Sequence, residues 1–159
     1  VLIEPVTLWH TQATAELPAD EAQVLVDYLD SSLRHELGKD YTLVDRPGKG
    51  VLRVRVAITE AEGSARVADT VSTVIPALRL LSGAKQIATG TAAFVGRAGI
   101  EGEIRDSMTD ERLAAAIDRR AGQKRLRGVN DTWDDVRGAF DFWAERLRVR
   151  LAEFRAGKP

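Results

Sequence analysis

The stretch "TWDDVRGAFDFWAERLRVRLAEFRAGK" near the end of the chain constrains the fold most. Trp133, Val136, Phe140, Trp143, Leu147, Leu151 and Phe154 are spaced 3, 4, 3, 4, 4 and 3 residues apart. On a helix that spacing draws one apolar stripe. Asp131 or Thr132 suits the N-cap, and Asp134 and Asp135 suit the first turn. Arg146, Arg148, Arg150 and Arg155 complement the negative C-terminal end. Such a helix needs an apolar surface from other elements to cover its stripe.

A second helix reads from "LPADEAQVLVDYLDSSLRHELGKD". Pro18 is tolerated in a first turn, and Ala22, Leu25, Val26, Leu29, Leu33 and Leu37 share one arc at ~100° per residue. Gly38 fits the stop.

"VLRVRVAITEAEG" alternates as a half-buried strand does, with Leu52, Val54, Val56 and Ile58 on one face. "VLIEPVTLWH" reads as an edge strand or one that starts near Pro5, because proline has no N–H to give a ladder. "YTLVD" reads as a short strand and "RPGKG" as a turn. Within 63–98 the pattern is weak, with extended pieces expected near Val67–Val74 and Ala88–Val95 and a turn or short helix near Leu78–Leu81. The expected architecture is α+β: a mostly antiparallel sheet of about five strands with two long amphipathic helices packed on one face. Residues 1–159 are read as a single domain with an irregular excursion at 63–98.

Composition narrows function by exclusion. The chain has no cysteine, which excludes disulfides and thiolate metal sites, and only two histidines, which makes a multi-histidine site improbable. His10 and His35 read as structural or exposed. Metals and cofactors are not expected. No uncharged run approaches the roughly 20 residues of a membrane span. Residues 1–62 carry 6 basic and 11 acidic groups, whereas 119–159 carry 11 and 6. A basic last third could meet an anionic surface or simply balance the acidic front.

"GIEGEIRDSMTDERLAAAIDRR" crowds carboxylates and arginines around a hydroxyl-rich centre. As a hairpin with Ser107–Asp110 as its loop, it sets Arg105 opposite Arg112 and Ile104 opposite Leu113. It also sets Gly102 opposite Ala115 and Ile100 opposite Ile117. Glu103 is placed to relieve the two arginines. Asp106, with Ser107 and Thr109, is placed to lock the loop through backbone N–H groups. Glu101 and Glu103 would stand about 7 Å apart on one face, a spacing a glycoside hydrolase could use. The loop lacks the glycine and ligand spacing of a calcium site.

These blocks resemble the bacterial lipoproteins grouped as "domain of unknown function 3313". The resemblance rests on "EIRDSMTDERLAAAIDRRAG", "WDDVRGAFDFWAERLRVRL", "VDRPGKGVLRVRVAITEAE" and "IEPVTLW", and is weakest across 63–98. Its most distinctive points are Asp106, Ser107 and Thr109 and the Arg119–Arg120 pair. The resemblance implies an envelope protein on the periplasmic side, anchored to the outer membrane by a lipidated cysteine lying before Val1. It brings no activity. The element order is also similar to the TolB amino-terminal domain and the curli-channel lipoprotein, at the level of fold alone.

Three surfaces remain as functional candidates. Phe142, with Val149, falls opposite the apolar stripe and reads as a partner-facing seam or an exposed apolar residue. "RRAGQKRLR", with Arg119, Arg120, Lys124, Arg125 and Arg127, reads as a contact to an anionic surface or a solvated linker. Trp133, Phe140 and Trp143 read as core. The expectation is a non-enzymatic envelope lipoprotein domain that binds or scaffolds an envelope protein, peptidoglycan or anionic lipid. Nucleic acid is not an expected partner. The alternatives are an enzyme using the Glu101/Glu103 face and a small-ligand binder with 63–98 as a lid.

Overall fold

The structure, a computed structural model, describes residues 1–9, 11–12, 14–63, 96–121 and 133–156. The order is β1 (Leu2–Ile3), β2 (Thr7–Leu8), α1 (Ala19–Leu37), β3 (Leu52–Glu62), β4 (Arg97–Asp106), β5 (Arg112–Ala121) and α2 (Asp134–Arg155). The protein is α+β, with a five-stranded mixed sheet in the order β1-β3-β4-β5 and β2 also paired to β3. β3, β4 and β5 run antiparallel, while β1 and β2 run parallel to β3.

Pro5 explains the split between β1 and β2. It cannot donate to β3, so the ladder is interrupted and resumes at Thr7. The short strand expected at "YTLVD" does not form. That segment instead passes beside β1, where Val44 donates its N–H to the Val1 carbonyl at 3.0 Å.

β3 follows its alternation, with Val54, Val56 and Ile58 buried. A bulge follows Ile58, where the register with β4 shifts before Glu60 meets Gly99. The bulge brings side chains close to Gly99: a Cβ there would lie 3.0 Å from both Glu60 Cβ and Thr59 Oγ1 and would crowd them. The Thr59 carbonyl at this bulge accepts the Thr11 hydroxyl at 2.9 Å.

One apolar cluster unites Leu25, Leu29, Leu33 and Leu37 of α1, Val136, Phe140, Trp143 and Leu151 of α2, and Val54 and Ile58 of β3. Polar ties flank it. Asp141 accepts from Tyr28 and Ser32 at 3.0 and 2.9 Å, and Arg148 donates to Glu36 and Asp40 at 3.1 and 2.8 Å. α2 begins behind Trp133, whose position carries no side-chain cap; Asp131 and Thr132 lie outside the described residues. The stripe ends earlier than its spacing suggests, because Phe154 is 69% exposed. It sits in the last turn of a 22-residue helix. No helix among the described residues is long and apolar enough to cross a membrane.

Candidate functional site

The β4–β5 turn is built from its own side chains. Asp106 Oδ1 accepts the backbone N–H groups of Met108 and Thr109 at 2.8 and 2.9 Å. Those two bonds, Thr109's first, hold the Asp106 carboxyl below its ordinary pKa. Thr109 Oγ1 accepts from the Glu111 N–H at 3.3 Å. Asp110 takes a left-handed φ of 59°, which aspartate tolerates. Arg53 and Arg105 reach its carboxylate at 3.2 and 3.1 Å.

Ser107 joins this turn to the "RPGKG" turn, two segments far apart in sequence. Its side chain is 4% exposed. Oγ donates to the Gly48 carbonyl and accepts from the Gly48 N–H, each at 3.1 Å, and its own N–H reaches the Val51 carbonyl at 3.0 Å.

The hairpin keeps the expected loop and the Arg105–Arg112 pair, then departs from the expected register. A bulge at Leu113 sets Ile104 opposite Ala114, Gly102 opposite Ala116 and Ile100 opposite Asp118. The expected apolar face of Ile100, Ile104, Leu113 and Ile117 therefore loses Ile117. Ile117 stands opposite Glu101 and is 69% exposed. One extra residue in a strand turns everything beyond it to the other face. The gain is a partner for the buried Trp143 indole: its Nε1 donates to Asp118 Oδ2 at 2.8 Å.

The same inversion brings Arg120 to α2, where its guanidinium lies 3.6 Å from the Phe142 ring centroid. Arg146 approaches the same ring at 5.7 Å. Phe142 is thus half-buried and packed against the core. Val149 is exposed. Arg119 lies 3.6 Å from Glu60. Lys124, Arg125, Arg127 and His10 lie outside the described residues, as do 64–95 and the lid expected there. His35 is exposed on α1, and Trp133, Phe140 and Trp143 are buried.

On the opposite face Glu103 is neutralised. Glu103 accepts from Arg105 at 3.0 Å and from Arg55 at 3.1 Å. Arg105 foremost, with Arg55, holds its carboxyl below the ordinary range. Glu4 pairs with Arg55 at 2.7 Å, so the network crosses from the chain's first segment to β4. Spacing alone singled out Glu103; the Glu4–Arg55–Glu103 chain needed the sheet order to appear. The shallow depression over Glu101 and Glu103 encloses about 300 Å³ and is edged by Trp9 and Arg112.

Among solved structures, a PelC dodecamer from Paraburkholderia phytofirmans is 11% identical, with 92% of this chain and 84% of that one covered and a TM-score of 0.50. A Xanthomonas campestris protein is 8% identical, covering 92% and 79%, with a TM-score of 0.53. A minor lipoprotein from Acinetobacter baumannii is 12% identical, covering 97% and 93%, with a TM-score of 0.47. At such identities the first two are likenesses of fold. No curated protein matches the chain. Residues 1–147 match the family model described as "Protein of unknown function (DUF3313)", and the chain belongs to that family.

Proposed function

We propose that this chain is the folded domain of a bacterial envelope lipoprotein, tethered at the outer membrane by a lipidated cysteine ahead of Val1. Facing the periplasm, it binds or scaffolds an envelope protein, peptidoglycan or anionic lipid and catalyses nothing. The observation that carries the non-catalytic reading is Glu103, held between Arg105 and Arg55 with its carboxyl below the ordinary range. A general acid at the Glu101/Glu103 face would need a carboxyl moved upward. Closed charge networks on an open sheet suit a contact surface better than a reaction centre. The basic residues from Arg119 to Arg127, and the side of α2 where Val149 is exposed and Phe142 half-buried, are the surfaces proposed to meet that partner.

The test is crosslinking of the full-length protein in its own envelope, with the captured molecules identified and labelled palmitate scored for incorporation. Capture of one partner that Val149→Glu or charge reversal at Arg119 abolishes, with the thermal midpoint retained, supports the scaffold. Release of fragments from isolated peptidoglycan by the purified domain, lost in Glu103→Gln, overturns it in favour of an enzyme.

A further inference from the structure

An apolar groove of about 430 Å³ lies between α2 and the β4–β5 hairpin. That volume falls within the roughly 300–1,000 Å³ of small-ligand sites. Leu147, Leu151 and Phe154 line it from α2, and Ile100, Ile104 and Leu113 from the hairpin. It stays open because the strands bring little bulk beneath the helix: Gly102, Ala114 and Ala116 occupy its floor. Unfilled apolar walls forgo dispersion contacts, so a fitting apolar occupant gains them. From Trp143 to Phe154 the helical wall runs about 16 Å at 1.5 Å per residue, which suits an elongated occupant.

The charges at the groove decide what that occupant carries. The groove's three carboxylates are engaged: Asp118 by Trp143 at 2.8 Å, Glu153 by Arg150 at 3.0 Å, and Glu103 by Arg105 and Arg55 at 3.0 and 3.1 Å. Arg146 and Arg150 stand one turn apart on α2 and line the same groove. Arg146 approaches the Phe142 ring at 5.7 Å, and among the described residues no carboxylate pairs with it. The Arg150–Glu153 pair is solvent-exposed and cheap to exchange. We propose that the groove binds a free fatty acid. Its acyl chain lies along Leu147, Leu151 and Phe154, and its carboxylate accepts from Arg146 and Arg150.

The experiment uses the purified chain and a dansyl-labelled undecanoic acid, with palmitate, hexadecanol and phosphatidylglycerol vesicles as competitors. Saturable blue-shifted emission is expected, displaced by palmitate roughly tenfold better than by hexadecanol. Arg146→Gln with Arg150→Gln should erase that preference. Ala116→Phe, which fills the floor, should abolish probe binding with the thermal midpoint retained; if it fails to fold, Leu113→Gln should weaken binding roughly tenfold. Probe binding indifferent to the groove variant, or equal displacement by acid and alcohol, overturns the proposal. Displacement by vesicles but not by palmitate also overturns it, assigning the groove to a bilayer lipid.

Discussion

Trp143 of α2 donates its indole N–H to the Asp118 carboxylate of β5 across 2.8 Å. The indole belongs to a side chain 5% exposed, whereas Asp118 stands on an exposed strand. One bond therefore ties the core helix to the edge of the sheet. It requires the inverted register that the bulge at Leu113 produces.

Asp118→Ala leaves a buried indole N–H without its partner and should cost about 1–3 kcal/mol in urea unfolding. Asp118→Asn, which keeps an acceptor, should recover most of that loss. An alanine variant as stable as the parent would show that water replaces the carboxylate without penalty.

Stability should fall in acid. Asp106 is held below its ordinary pKa by the N–H groups of Thr109 and Met108, Glu103 by Arg105 and Arg55, and Glu36 by Lys39 and Arg148. Each is deprotonated more readily in the folded chain than in the unfolded one. Their stabilisation is therefore complete above the unfolded carboxylate range, near pH 4, and is lost as pH falls through the lower folded values. Asp106→Asn keeps an acceptor oxygen for the loop and removes one titrating group. Its thermal midpoint should decline less steeply than the parent's between about pH 4 and pH 2. Parallel declines would remove Asp106 from the acid response.

Ser107→Ala removes both bonds to Gly48 in a nearly closed site. A loss of about 1–2 kcal/mol is expected. Hydrogen exchange should accelerate at Gly48, whose N–H donates to the Ser107 hydroxyl. Unchanged exchange at Gly48 would mean that the two turns are held together by other contacts.

Phe140 and Phe154 occupy one stripe in sequence but opposite environments, 0% and 69% exposed. Phe140→Ala should cost about 3–5 kcal/mol and Phe154→Ala no more than about 0.5 kcal/mol. Equal penalties in chemical denaturation would return Phe154 to the core.

The locally encoded parts of the fold were legible in the residues. The leucines of α1, the alternation of Val54, Val56 and Ile58, and the loop lock at Asp106 each depend on neighbours a few positions away. Pro5 marked an edge strand for the same reason, since a missing N–H is a property of one residue; the split into two short strands was not read from it. The surroundings of Phe142 were not legible, because helical angle alone cannot show that Arg120 arrives above the ring. Arg55, Glu4 and Asp118 carried no local signal of their partners.

By itself the sequence determined the two helices, the three long strands, the turn chemistry and the family. Tertiary structure decided the register beyond Arg105, the face presented by β5 and the groove beneath α2. Periodicity and turn preferences act over one or two turns of chain, so they are written residue by residue. A bulge is chosen by the balance over a whole strand. Here Leu113 is accommodated and Ile117 is exposed, while the buried indole of Trp143 gains the carboxylate of Asp118.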